Sequence, residues 1–157
     1  MHRNCTSAVL ESNCNLQNRM RTMLRAIIII TALFSLGVQA QTPSPPGAEV
    51  YFISPHDGDT VSSPVTVRFG LKNMGVAPAG INVPNTGHHH LLIDTGLPPL
   101  DKPIPSDGHH KHFGKGQTET SLELTPGKHT LQLLLGDYAH VPFSPPVMSK
   151  QITITVK

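Results

Sequence analysis

Short runs of alternating apolar and polar residues, separated by turn-forming residues, fill the chain after residue 48. The run VTVRFGL at 65–71 is the clearest, and its alternation places every second side chain on one face of an extended strand. Outside the first 40 residues, no stretch keeps a helical period over ten or more residues. We therefore predict an all-β, immunoglobulin-like β-sandwich of about seven short strands. The other strand-like runs are 50–53, 88–94, 117–124, 128–135 and 151–156.

Two segments support the immunoglobulin-like prediction more directly. ISPHDGDTVSSPVTVRF at 53–69 resembles the opening strands of bacterial immunoglobulin-like domains, and LTPGKHTLQLLLGD at 124–137 resembles their closing strands. This resemblance implies that the Pro-Gly turn at 126–127 joins the last strands. It also implies that the final strand crosses to the other sheet.

The amino end has the three-part pattern of a cleaved secretory signal peptide. Three arginines between residues 19 and 25 precede an apolar run at 26–37, and small residues at Val38 and Ala40 follow it. The apolar run is shorter than the about 20 residues that a transmembrane helix needs. We therefore predict cleavage after Ala40, a periplasmic or secreted product, and no stable membrane anchor after cleavage.

The pattern also sets the organisation of the chain. Residues 1–19 are polar, do not fit the signal pattern and contain both cysteines, so Met20 or Met23 is a better start for the signal. The 117 residues after Ala40 suffice for one hydrophobic core and are too few for two domains. The predicted parts are an N-terminal extension with the signal peptide at 1–40, a mobile Pro-rich spacer at 41–48 and a single His-rich domain at 49–157.

Charge and cysteine content exclude several classes of partner. After residue 40 the chain has eight Lys and Arg against nine Asp and Glu, a net charge of −1 with neutral His. No run of basic residues marks a phosphate-binding face, so we expect no nucleic-acid partner. The same part of the chain has no Cys, which excludes disulfides, thiolate-bound zinc and iron–sulfur clusters there.

Histidines are the most informative residues for function. Nine of the ten lie after residue 40, and six of those fall in the clusters HHH at 88–90 and HHKH at 109–112. Residues two apart share a face of a strand, so His88 and His90 project together while His89 points into the core. His110 and His112 form the same kind of pair, and two such pairs can offer four nitrogens to one ion.

We interpret these clusters as a transition-metal site. Imidazole is the commonest protein ligand for such ions, and a set of nitrogen ligands without Cys favours copper or zinc. Another envelope protein is a further candidate partner. The predicted metal ligands are His88, His90, His110, His112, His140 and Asp94.

Three other interpretations stay open at this point. The clusters can bind metal loosely, or serve as solvated surface, without a specific site. His88, His90 and Asp94, with His129 and a general acid or base at Glu119, faintly resemble a cupin-like metal-dependent enzyme, although binding is favoured over catalysis. Finally, protonation of clustered histidines can open an interface in a pH-sensitive envelope interaction module.

The histidine blocks also carry a resemblance to one family. Four blocks are together similar to bacterial domain of unknown function family 4399, a small exported His-rich domain: GHHHLLID at 87–94, GHHKHFGKGQTE at 108–119, LTPGKHTLQLLLGD at 124–137 and HVPFSPPVMSKQITITV at 140–156. The resemblance spans about residues 50–157 and implies a domain boundary but no activity. The positions that match its recurring blocks are His88, His90, Asp94, His110, His112, Gln117, Glu119, Asp137 and His140.

Overall fold

The structure is a computed structural model that describes residues 41–157. This part of the chain contains nine strands and no helix, which confirms the all-β prediction. The predicted signal peptide at 1–40 lies outside the described residues. The strands are β1 (Glu49–Ser54), β2 (Thr60–Val61), β3 (Val65–Lys72), β4 (Gly75–Val76), β5 (Thr86–Ile93), β6 (His110–His112), β7 (Glu119–Leu122), β8 (Gly127–Gly136) and β9 (Ile152–Val156).

The strands form the two sheets of a β-sandwich. One sheet has the order β1-β3-β7, and the other has the order β2-β9-β8-β5-β4, with β6 paired to β5. Strand β8 pairs along one edge of β5. The other edge is shared by two short strands, with β4 pairing at residues 86–87 of β5 and β6 at residues 90–92. The six strand-like runs of the sequence correspond to the six longer strands, and this arrangement agrees with the predicted immunoglobulin-like sandwich.

The path of the last strands differs from the one that the resemblance implied. The turn at 125–127 carries the chain from β7 in the first sheet to β8 in the second. The final strand β9 then pairs antiparallel with β8 and does not cross to the other sheet. The implied crossing is therefore wrong, because alternation identifies the buried face of β9 but not the sheet that the strand joins.

Two apolar clusters bury both faces of the second sheet near β5. The main core lies between the sheets and includes Phe69, Leu133 and Ile154, each at most 3% exposed. A smaller cluster lies on the outer face, where Ile104 covers Leu92 and Leu134. The long Pro-rich connection between β5 and β6 therefore closes over the outer face of the sheet, and this face carries the histidine pair of β5.

The Pro-rich segment at 41–48, predicted as a mobile spacer, makes specific contacts with the domain. Pro43 forms a parallel bridge with Ser144, and backbone hydrogen bonds join residues 42 and 44 to the same residue. The side chain of Gln41 donates to the carbonyl oxygens of Leu100 and Pro142. The N-terminal segment, residues 41–44, is thus packed against the loop that follows β8. Within residues 41–157 no helix has the length and apolar character required to cross a membrane.

Candidate metal centre

The first two histidines of the site come from the outer face of β5. All three residues of the HHH run are fully buried, and the pleat sends His89 to the main core, where its ring lies 5.2 Å from that of Phe69. His88 and His90 point the other way, as predicted. Their Nε2 atoms are 3.1 Å apart, so the two rings already point their outer nitrogens at a common position.

The third histidine is delivered by the pairing of β6 with β5. In this register His112 lies directly opposite His90, and its ring centroid is 5.0 Å from the centroids of both His88 and His90. The predicted meeting of the two clusters is therefore present in the structure. Gly114 makes room for the His112 ring, since a Cβ at this position would lie 2.5 Å from Nε2.

The fourth histidine, His140, comes from the loop between β8 and β9. Its ring centroid lies 5.0 Å from that of His88, 6.1 Å from that of His90 and 4.8 Å from that of His112. The backbone of His140 has a φ of 68°, a left-handed conformation that few residues other than glycine adopt. Such conformations cost energy and are found preferentially at functional sites. We call His88, His90, His112 and His140 the four-histidine cluster.

Nitrogen spacing within the cluster suits a metal ion. One ligand atom from each of His88, His90 and His112 can be chosen so that all three lie within 4.8 Å of one another. Two nitrogens bound to one tetrahedral zinc at about 2.05 Å each would be about 3.3 Å apart. The 3.1 Å between His88 and His90 is close to this value, and small side-chain movements would bring the third nitrogen to it.

Hydrogen bonding leaves the cluster incompletely satisfied. The Nδ1 atoms of His88 and His90 and the Nε2 atom of His112 are buried without a hydrogen-bond partner. A buried polar atom without a partner costs about 1–3 kcal/mol. Three such atoms in one contact group are unusual for a purely structural arrangement. The Nε2 atoms of His88 and His90, in contrast, face each other at 3.1 Å, and an ion bound between them would replace this contact.

Electrostatics keeps the cluster neutral and ready to bind. Burial, together with the neighbouring imidazoles, lowers the pKa of His90 to about 2 and that of His88 to about 4. Burial also lowers the pKa of His112, and His140 adds to this effect. Metal ions bind the neutral form of imidazole. At neutral pH these three rings are therefore uncharged, and each has one unprotonated nitrogen that can bind an ion.

Two of the predicted ligands are not brought into the cluster. Asp94 ends β5 with a φ of 52°, and this turn directs its carboxylate to the Thr130 amide at 2.8 Å and to His129 Nδ1 at 2.7 Å. His110 lies on the same face of β6 as His112, opposite Leu92. Its Nδ1 is 2.9 Å from the Asp107 carboxylate, so this ring is held at the border of the cluster.

The residues of the cupin-like set are separated from one another. His129 sits at the edge of the core, as expected, and hydrogen bonds to Asp94 and to the Thr125 carbonyl raise its pKa. Its partner Asp94 is turned away from His88 and His90. Glu119 lies on β7 in the other sheet and forms an exposed ion pair with Arg68 at 3.1 Å. The described residues therefore do not assemble that catalytic constellation.

Sequence reasoning missed how two residues frame the cluster, although the family resemblance had marked Asp137 as a position. Gly136 permits the close approach of His90, since a Cβ there would lie 2.9 Å from Nε2. Asp137 accepts hydrogen bonds from the amides of Ala139 and Val141, on either side of His140. Gly136 can be read directly from the sequence, but no sequence pattern indicates that the His90 ring packs against it.

Comparison with known proteins identifies the family. No curated protein and no solved structure matches the chain. A family model with the description "Domain of unknown function (DUF4399)" matches residues 67–157, which is more than half of the chain and includes the whole four-histidine cluster. The resemblance that the histidine blocks carry is thereby confirmed, and the chain belongs to the DUF4399 family.

Proposed function

We propose that this protein is an exported binding module that holds one copper or zinc ion in the four-histidine cluster. The observation that carries the proposal is the convergence of His88, His90 and His112, three imidazoles that each offer a ligand atom within 4.8 Å of the other two. His140 supplies a fourth imidazole from a separate part of the chain. Export rests on the signal pattern at residues 1–40.

The burial and the number of the ligands favour binding over catalysis. Structural zinc sites have four protein ligands, whereas catalytic sites keep one position open for water or substrate. Here His88, His90 and His112 converge, the ring of His140 lies against all three, and His88 and His90 are fully buried. An ion held by all four imidazoles would have no free position for a substrate, which fits storage, delivery or stabilisation.

Nitrogen ligands leave copper and zinc as the two candidates. For a given set of ligands, copper(II) binds more tightly than zinc(II), and availability in the cell decides between them. No thiolate is present among residues 41–157 to favour softer ions. Copper(II) bound by the cluster would show nitrogen hyperfine splitting in its electron paramagnetic resonance spectrum, so the ligand type can be read directly.

Metal content and titration test the proposal. The full-length chain is expressed in a bacterium with its own amino end, and the exported product is purified without a tag or chelator. Its metal content is measured, and Cu(II) and Zn(II) are then titrated into the wild type and a His90→Ala/His112→Ala double variant. The matched control is His56→Ala, because this side chain is 76% exposed and lies outside the cluster.

One equivalent of tightly bound ion, lost in the double variant and kept in the control, would support the proposal. Substoichiometric metal with weak binding that survives the double substitution would overturn it. The amino-terminal sequence of the same sample tests export. A product that begins at Gln41 supports cleavage of the signal peptide, and an intact amino end contradicts it.

A further inference from the structure

A buried carboxylate without a cationic partner lies beside the four-histidine cluster. Asp137 is 5% exposed, and among the described residues no Lys, Arg or His side chain forms an ion pair with it. Burial of a charge is costly unless the charge is paired or coordinates a cation. The negative charge of Asp137 therefore needs an explanation beyond the turn that it stabilises.

Neutral hydrogen-bond donors hold the carboxylate in place. Oδ1 accepts from the amides of Ala139 and Val141, both at 2.9 Å, and Oδ2 accepts from the Thr42 hydroxyl at 2.6 Å. The backbone carbonyl of Asp137 also accepts from the His140 amide at 2.9 Å. These bonds fix the loop that presents His140, and they leave the full negative charge of the carboxylate in the interior.

The position of Asp137 in the fold places this charge beside the cluster. The preceding residue, Gly136, pairs with His88 across β5 and β8 and contacts the ring of His90. Three positions further along the chain, His140 enters the cluster. The negative charge of Asp137 also partly opposes the lowering of the His88 pKa, which burial and the neighbouring imidazoles cause.

We propose that Asp137 is a specificity-determining residue that makes the four-histidine cluster a site for a divalent rather than a monovalent ion. This inference rests on the proposed function and deepens it. Four neutral imidazoles leave the whole charge of a bound ion uncompensated in a buried site. The Asp137 carboxylate cancels one unit of that charge, and the benefit is larger for a dication because the Coulomb energy is proportional to the product of the charges.

Zinc(II) and copper(I) separate this role from a structural one. Both ions are d10 and bind imidazole, but Cu(I) carries the smaller charge, is softer and accepts fewer ligands. The comparison therefore needs a variant that disturbs the loop presenting His140 and keeps the charge. Loss of one negative charge would cost the dication twice what it costs the monocation, and a difference of about 1.4 kcal/mol between them corresponds to roughly tenfold in affinity.

The experiment compares two variants of the full chain with the wild type. Asp137→Asn keeps the shape of the side chain and an oxygen for the Ala139 and Val141 amides but removes the charge. Thr42→Val removes one hydrogen bond to the same carboxylate and keeps the charge. Dissociation constants for Zn(II) are measured by competition with a chromophoric chelator, and those for Cu(I) are measured in the same way under anaerobic, reducing conditions.

We expect Asp137→Asn to lose roughly tenfold more affinity for Zn(II) than for Cu(I), and Thr42→Val to change both affinities by the same factor. Equal losses for the two ions in Asp137→Asn, or no loss for either, would overturn the inference while the binding function stands. If the wild type binds neither ion stoichiometrically, the proposed function fails and the inference falls with it. Circular dichroism of each variant confirms that it is folded.

Discussion

At the scale of single residues, the four-histidine cluster depends on glycines as much as on its ligands. Gly114 and Gly136 each face a ligand ring at a distance that no side chain could occupy. Substituting either glycine would therefore push a histidine ring out of place while all four histidines stay in the chain. Such a substitution tests whether the site needs a defined geometry or only a collection of histidines.

Gly114→Ala tests the need for defined geometry. The added methyl group would overlap the His112 ring, so we expect the affinity for Zn(II) or Cu(II) to fall about tenfold or more, the effect of roughly 1.4 kcal/mol. Gly108→Ala, in the connection that precedes β6, is the control, because a Cβ at that position meets no atom within 4 Å. Equal affinities of the two variants, measured by competition titration, would mean that His112 is not held in the geometry seen here.

The His129–Asp94 pair makes a separate, pH-dependent contribution to stability. Because Asp94 raises the pKa of His129 above its usual 6.5, the folded state binds this proton more tightly than the unfolded state. The stabilisation is present below about pH 6.5 and is lost as the pH rises through the raised pKa. In His129→Gln we expect the fall in the free energy of unfolding at alkaline pH to disappear. Urea unfolding with chelator present, at several pH values between about 6 and 9, measures this free energy. A pH dependence equal to that of the wild type would contradict the stabilising role of the pair.

At the scale of elements, β5 shows which features of the site the sequence could predict. The two-residue period correctly placed His88 and His90 on one face and His89 in the core. It failed at Asp94, because a strand pattern assumes extended backbone, and the positive φ of Asp94 ends the strand one residue earlier. Periodicity predicts faces within a strand but cannot show where the strand stops.

The two-residue period could not predict the shorter strands or the paths of the loops. Strand β6 has only three residues inside a Pro-rich connection, so its alternation is too short to stand out, although its H-x-H spacing marked it as a candidate. His140 was a candidate ligand, but only the loop held by Asp137 shows how it reaches the cluster. Residues 41–44 look like a spacer because their contacts are with Ser144 and Pro142, about 100 positions away.

The core-facing residue of β5 provides an element-scale prediction. Both ring nitrogens of His89 are buried without a hydrogen-bond partner, and burial lowers its pKa to about 4, an effect that the backbone of Gln117 partly opposes. His89→Leu has a similar volume and removes both unpaired atoms. We expect the free energy of unfolding to rise by about 1–2 kcal/mol at neutral pH, with unchanged metal affinity, because the side chain lies on the opposite face from the cluster.

The same substitution has a predictable effect in acid. A lowered pKa means that the unfolded state binds the His89 proton first, so stability falls as the pH drops from about 6.5 toward 4. His89→Leu should therefore show a shallower acid slope than the wild type in chelator. A variant that is less stable than the wild type at every pH would show that His89 makes a favourable interaction in the core.

At the scale of the whole molecule, the four-histidine cluster joins parts of the chain that are far apart in sequence. Its ligands come from β5, from β6 and from the loop after β8, and the N-terminal segment is bonded to that loop as well. An ion bound here would link β5, β6 and the loop after β8 through one site. The domain has no disulfide to do this, since residues 41–157 contain no Cys.

Metal binding should therefore stabilise the whole domain. An ion that binds the folded state adds RT ln(1 + [L]/Kd), about 4 kcal/mol when its free concentration is 1,000 times Kd, which corresponds to a rise in Tm of about 10–20 °C for a domain of this size. The gain is an upper bound, because any binding of the ion to the HHH run in the unfolded chain would reduce it. Differential scanning calorimetry with Zn(II) buffered at two free concentrations measures the rise in Tm.

If the folded cluster is the site, the rise in Tm seen in the wild type vanishes in His90→Ala/His112→Ala and persists in His56→Ala. An equal rise in all three proteins would instead assign the stabilisation to ions on the surface, because the double variant keeps every exposed histidine while it loses two of the four converging rings.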